Sequence, residues 1–281
     1  ERPRGATVES WTASTRLLGW WDYHGIRSGE APEETKSFLA SSLTLRGGWN
    51  TSLSLGWETY AFDPHRYLNY GIERRIGNVV DTVAWDPPNR INDVYGLIFR
   101  LTTPEFTHFS GQLGVNRWED VGFVEATPVE LLRVTAEGNW RPSSQLRVNG
   151  RYALFRLDRR RDGTNLTTQQ IPRLRLEYQL SRSVFIRLVG EYNSLTLDAL
   201  RDPRTDEPLF LRTDSGRYAA TEPEEDNDLQ VDWLFSYQPT PGAVVFAGYG
   251  SNLTEPDAFE LRHLRRNADV FFIKLSYLFR L

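Results

Sequence analysis

Charged side chains recur at every second position in several stretches of this chain. Arg173, Arg175 and Glu177 alternate with Leu174, Leu176, Tyr178 and Leu180. Arg147 and Arg151, Arg187 and Glu191, and then Asp232, Lys274 and Arg280 stand in the same relation to apolar neighbours. Guanidinium and carboxylate groups gathered on one face can pair with each other, or grip anions through charge-assisted hydrogen bonds. Other chemistry has thin support. The four histidines, His24, His65, His108 and His263, lack zinc-motif spacing, and there is no Cys, so neither a metal site nor a cofactor is expected. His108 and Ser110 lie two apart, as a base and a nucleophile might on one strand face, but no acid partner can be placed. The run from Glu222 to Asp228 offers carboxylates to Ca²⁺ without EF-hand spacing, and reads better as a solvated loop. No catalytic residues are assigned.

The elements that must carry these charges are β-strands. Period-2 alternation dominates, and it implies ribbons with one apolar face. It is cleanest over 271–281, 173–180, 184–192, 146–154 and 229–237. Weaker versions lie near 8–22, 37–49, 51–61, 92–103, 106–117, 130–140 and 243–250. Short links near Asn50-Thr51, Pro104-Glu105, Pro142-Ser144, Ser181-Ser183 and Pro239-Gly242 alternate with longer polar segments. The expectation is an all-β chain: one antiparallel up-and-down transmembrane β-barrel of about twelve strands, closed on itself. Residues 67–75 are the uncertain stretch, where an extra strand pair would raise the count to about fourteen. The 193–228 loop is a candidate plug. No linker divides the chain, so 1–281 is read as one domain.

Three features favour a membrane over water around this barrel. The apolar faces are as long as a tilted membrane strand requires, roughly nine to eleven residues. Aromatic side chains gather near strand ends, and Trp20, Trp49, Trp140, Tyr178, Tyr192, Tyr237, Tyr277 and Phe279 are candidates for the headgroup level. The polar face also pairs sensibly. A hairpin centred on Arg182 sets Arg173 opposite Glu191, Glu177 opposite Arg187 and Arg175 opposite Val189. Its other face joins Leu176 to Leu188 and Tyr178 to Ile186. The lumen is then lined by Arg147, Arg151, Arg173, Arg175, Glu177, Arg187, Glu191, Asp232, Lys274 and Arg280. This arrangement implies the bacterial outer membrane, with both termini periplasmic and lipid and lipopolysaccharide as partners. Arg159-Arg160-Arg161, at a loop entry, is a candidate grip on lipopolysaccharide phosphates, although an ordinary charged turn is the simpler reading. A net charge of −4 gives no support to nucleic-acid binding.

The stretches "QPTPGAVVFAGYGS", "NADVFFIKLSYLFRL" and "GGWNTSLSLGWETYAFDPHRYLNYGIERR" resemble a large uncharacterised bacterial family. In that family a domain like the family-9 carbohydrate-binding modules precedes a C-terminal outer-membrane-like barrel. The resemblance implies the barrel part of a longer precursor, and it offers no catalytic residues. The leading reading is a membrane anchor or translocation scaffold, not an enzyme, for an N-terminal domain since removed or for partner subunits. A solute channel with a cationic lumen, an outer-membrane hydrolase and a soluble all-β binding protein are the alternatives.

Overall fold

The computed structural model describes residues 7–77, 79–240 and 242–278. Its strands, in chain order, are β1 (Val8–Trp20), β2 (Glu34–Leu45), β3 (Trp49–Ala61), β4 (Tyr70–Ile76), β5 (Val79–Ala84), β6 (Arg90–Thr102), β7 (Phe109–Gly122) and β8 (Thr127–Trp140). They continue with β9 (Leu146–Arg159), β10 (Asn165–Ser181), β11 (Val184–Leu197), β12 (Leu209–Arg212), β13 (Tyr218–Ala220), β14 (Glu224–Thr240), β15 (Ala243–Thr254) and β16 (Arg265–Tyr277). Twelve of them form one antiparallel up-and-down sheet in the order β1-β2-β3-β6-β7-β8-β9-β10-β11-β14-β15-β16. Each alternating stretch read from the sequence corresponds to one of these strands. Several run further than the alternation suggested: β10 and β14 each have 17 residues. The acidic run is accordingly not a free loop. Glu224 to Asp228 open β14 and pair with Leu197 to Asn193 of β11.

This is a barrel-type wall, but it does not close as expected. No pairing joins β1 to β16 among the described residues, and both strands are exposed along their whole length. The extra pair suspected near Tyr67–Arg75 exists as β4 and β5, yet it lies outside the wall. With β12 and β13 from the 198–223 segment it builds a separate four-stranded sheet, ordered β13-β12-β4-β5. Two long loops are thereby stitched together over the outer end of the wall.

The core lies where this cap meets the wall. Phe62, Tyr67, Ile72, Trp85, Leu200 and Leu209 come from the loops and cap, and Val94, Trp118, Val129 and Leu131 from β6, β7 and β8. Phe38, Ile98, Phe155 and Leu197, from four further wall positions, pack against the same cluster. One cluster touched by strands from β2 to β11 requires that their shared face be concave. Trp118 is seated there by two glycines. A Cβ on Gly56 would stand 2.1 Å from its ring, and one on Gly96 2.4 Å from its ring and 2.6 Å from its Cα. Glycine thus lets the indole lie flat across neighbouring strands. Replacing Gly96 with Val should unseat Trp118 and cost about 1–3 kcal/mol, the usual range for overpacking. Chemical denaturation followed by Trp fluorescence checks it.

Candidate functional site: the charged inner face and its cap

Direct cross-strand partners share a face, so the register assigns every wall residue to one side. The hairpin of β10 and β11 has the pairing anticipated from sequence: Arg173 with Glu191, Arg175 with Val189, Glu177 with Arg187, Leu176 with Leu188, and Tyr178 with Ile186. Extending the register puts Arg147 and Arg151 of β9 on the side of Arg173 and Glu177. Asp232 of β14 joins them through Val189, and Lys274 of β16 through Phe246 of β15. This is also the face of Phe38, Ile98 and Trp118, the concave one. Arg280 lies outside the described residues.

The opposite face is apolar and open. Leu39, Leu53, Leu55, Leu97, Leu113, Leu174, Leu188 and Ile273 share it through the pairings and are all exposed. A soluble barrel would hide these residues and show the arginines. Here the buried core and the arginines of β9, β10 and β11 occupy one side, and exposed leucines line the other, where the charged pairs Arg117–Glu130 and Arg156–Asp158 lie only toward the loop end.

Register did not dictate every ion pair. Arg173 Nη1 lies 3.2 Å from Glu191 Oε2, across strands as expected. Glu177 instead takes Arg175, two residues away on its own strand, rather than Arg187 opposite it. Glu137 accepts from Gln112 (3.1 Å) and Asn149 (3.1 Å), and makes no bridge to Arg151 opposite it. Arg147, Arg151, Arg187 and Lys274 have no ion-pair partner among the described residues, and neither do Glu137 and Asp232, so this short-turn part of the face carries a small local excess of positive charge. A cavity of about 340 Å³ is lined by Arg173, Arg175, Arg187, Val189, Asp232 and Phe272. A second, of about 330 Å³, is bounded by Glu137, Arg147, Asn149, Arg175 and Glu177.

The candidate interface aromatics divide. Trp49, Trp140, Tyr178, Tyr237 and Tyr277 lie on the outward face at the short-turn end, and the last four are strongly exposed. Trp20 differs, because the pleat of β1 puts it opposite Glu34, on the inner side, where Lys36 Nζ stands 5.8 Å from its ring. Tyr192 is on the outward face but buried. Phe259 stacks on it with ring centroids 4.5 Å apart, and its hydroxyl donates to Glu255. Phe279 is outside the described residues.

The Arg159-Arg160-Arg161 run is consumed within the molecule. Arg159 is 4% exposed and donates to both oxygens of the buried Glu125, from Nε at 2.9 Å and Nη2 at 2.7 Å. Its Nη1 reaches Asp198 Oδ2 at 2.7 Å, and Nη2 also reaches the Ala199 carbonyl at 2.9 Å. Arg160 pairs with Glu119 at 3.2 Å, and Arg161 with Asp206. Arg159 therefore ties the β7–β8 turn to the segment that becomes β12. Glu125 and Asp198 escaped the sequence reading, since isolated loop acids far apart in the chain carry no periodic signal. Burial takes water from the Arg159 guanidinium, and its hydrogen bonds to Glu125 and Asp198 replace that water. Burial also pushes Asp198 upward, while its bond from Arg159 outweighs this and holds it below the usual carboxylate range. In the cap, burial pushes the Tyr67 phenol up to about 12, which keeps it a donor to the Phe123 carbonyl at 2.7 Å. The His108 ring is engaged by the Arg141 carbonyl at 2.9 Å. Among the described residues, no group of three or more His, Cys, Asp or Glu could hold a metal ion.

No family model matches the chain, and no curated protein does. Among solved structures, a NanC porin in a rhombohedral crystal form is similar at 10% identity and a TM-score of 0.32, over 96% of this chain and 99% of that one. The assignment to the up-and-down β-barrel class rests on the strand order and pairing above.

Two outcomes are expected of the Arg159 network. Arg159→Met strands a buried carboxylate at Glu125 and should destabilise the cap by about 3–5 kcal/mol. Hydrogen exchange at Leu209–Arg212 should quicken while the β9–β10–β11 amides stay protected. Asp198 has a depressed folded pKa, so its contribution is complete above the unfolded value near 3.9 and is lost as pH falls through the folded one. The same amides should therefore stay protected at pH 5 and exchange faster only below about pH 4.

Proposed function

We propose that this chain is an integral outer-membrane β-barrel that anchors, or provides a translocation scaffold for, an attached domain or partner subunits. The observation carrying this is the inverted distribution of side chains: exposed leucines outside, the arginines of β9, β10 and β11 and the core inside. Backbone groups in hydrocarbon must be satisfied internally, and an antiparallel wall of paired strands does that. β1 begins and β16 ends beside short turns, since Ser10 pairs near the 46–48 turn and Tyr277 near Gly242. Short turns face the periplasm in such barrels, which would leave both termini there and available to a carried domain. A cap packed over the outer end suits an anchor better than an open pore.

The surplus charge of Arg147, Arg151 and Arg187 favours one second reading, a channel preferring anions. The experiments separate these cleanly. Membrane residence predicts detergent-dependent extraction and a gel mobility that changes on heating; buffer-soluble protein would overturn both readings. In planar bilayers an anchor stays closed. Anion-selective conductance that weakens at least several-fold in Arg147→Glu/Arg187→Glu would establish the channel instead.

A further inference from the structure

Two strand edges lack partners among the described residues, that of β1 away from β2 and that of β16 away from β15. Their relation can be worked out from the pairing of the other strands. A line drawn through direct partners starts at Ser10, near the short-turn end of β1. It crosses Thr44, Asn50, Thr102, Gln112 and Glu137. It continues through Arg151, Arg173, Glu191, Gln230 and Asn252 to Ala268, near the loop end of β16. The line therefore climbs nearly the full height of the wall in one circuit. A flat sheet has no need of this. A barrel must have it, because tilted strands return to their start displaced along the strand, with a tilt of roughly 35–45°.

We infer that β1 and β16 are each other's partners, in the register that sets Leu17 opposite Leu275 and Arg16 opposite Ser276. The inference rests on the membrane reading above, since an unpaired edge cannot remain in hydrocarbon. Faces decide part of the register. Leu17 shares the outward face with Ser37 and Trp57, and Leu275 shares it with Val245, so odd residues must meet odd residues. Slides must be even, and a tilt of roughly 35–45° across twelve strands admits only those of two residues either way. One slide sets Arg16 directly opposite Lys274, two like charges on adjacent strands, which is unfavourable. The other pairs Leu17 with Tyr277 and leaves only four ladder positions, Leu17 to Trp20, within the described strands. The intermediate register joins six, from Thr15–Tyr277 to Trp20–Phe272. It stacks an aromatic pair on the inner face and leaves Lys274 beside Leu18.

The protein has no cysteine, so cross-linking is free of background. Three double variants are made in the full chain, Leu17→Cys with Leu275→Cys, Ile273→Cys or Tyr277→Cys. Each is oxidised in outer-membrane fractions, and a protease site placed in the 198–223 segment reports whether the fragments stay joined. The expected result is dominant intrachain joining in the Leu17→Cys/Leu275→Cys variant. Dominance of either other pair overturns the register. Cross-linked dimers would show that a second copy fills the seam, and heat-modifiable membrane protein with no cross-link would show that the seam stays open. Either of these overturns the pairing itself. Absence from the membrane fraction is the separate failure of the membrane reading.

Discussion

The pleat of the β-strand is the constraint on which this structure depends. Successive side chains point to opposite faces, so a single choice of register settles what both faces contain. In β10 and β11 that choice aligns Leu176 with Leu188 on one side and Arg173 with Glu191 on the other. A shift of one residue would exchange the two faces. The apolar partners and the charged partners therefore enforce the same register independently. Repetition of this agreement across neighbouring strands gathers exposed leucines on one surface and the arginines of β9, β10 and β11 on the other.

The inner surface is itself divided. Toward the short turns it is charged, with Arg147, Arg175 and Glu177 around an open cavity. Toward the loops it becomes a packed core roofed by a small sheet from two distant segments. Arg159 stands at the boundary. Its buried guanidinium satisfies Glu125 and Asp198 together, and the buried Glu125 carboxylate would be unfavourable in that position without it. The loops are therefore structural parts of the wall's outer end.

Sequence alone disclosed whatever follows period 2. The strand positions, the twelve-strand count, the β10–β11 register and the shared side of Arg147, Arg151, Arg173, Arg175 and Arg187 were legible, because each is a direct consequence of alternation. What lacks a local period was not. The cap depends on pairing between Leu209–Leu211 and Tyr70–Ile72, far apart in the chain. Nothing local in the sequence sets Trp118 apart, yet two glycines on other strands make room for it in the core. Trp20 was assigned to lipid by its place in the chain, when the pleat of β1 turns it inward. Glu177 had two arginines within reach, and register could not tell which it would bind.

The cap also orders events in time. β4 and β5 precede six strands of the wall, and β12 and β13 follow them, so the roof can assemble only once that arc of wall has brought its ends together. Long-range pairing of this kind must first meet the entropy of closing a large loop. The roof is thus the late-forming piece, and its completion certifies that the strands beneath it are already in place.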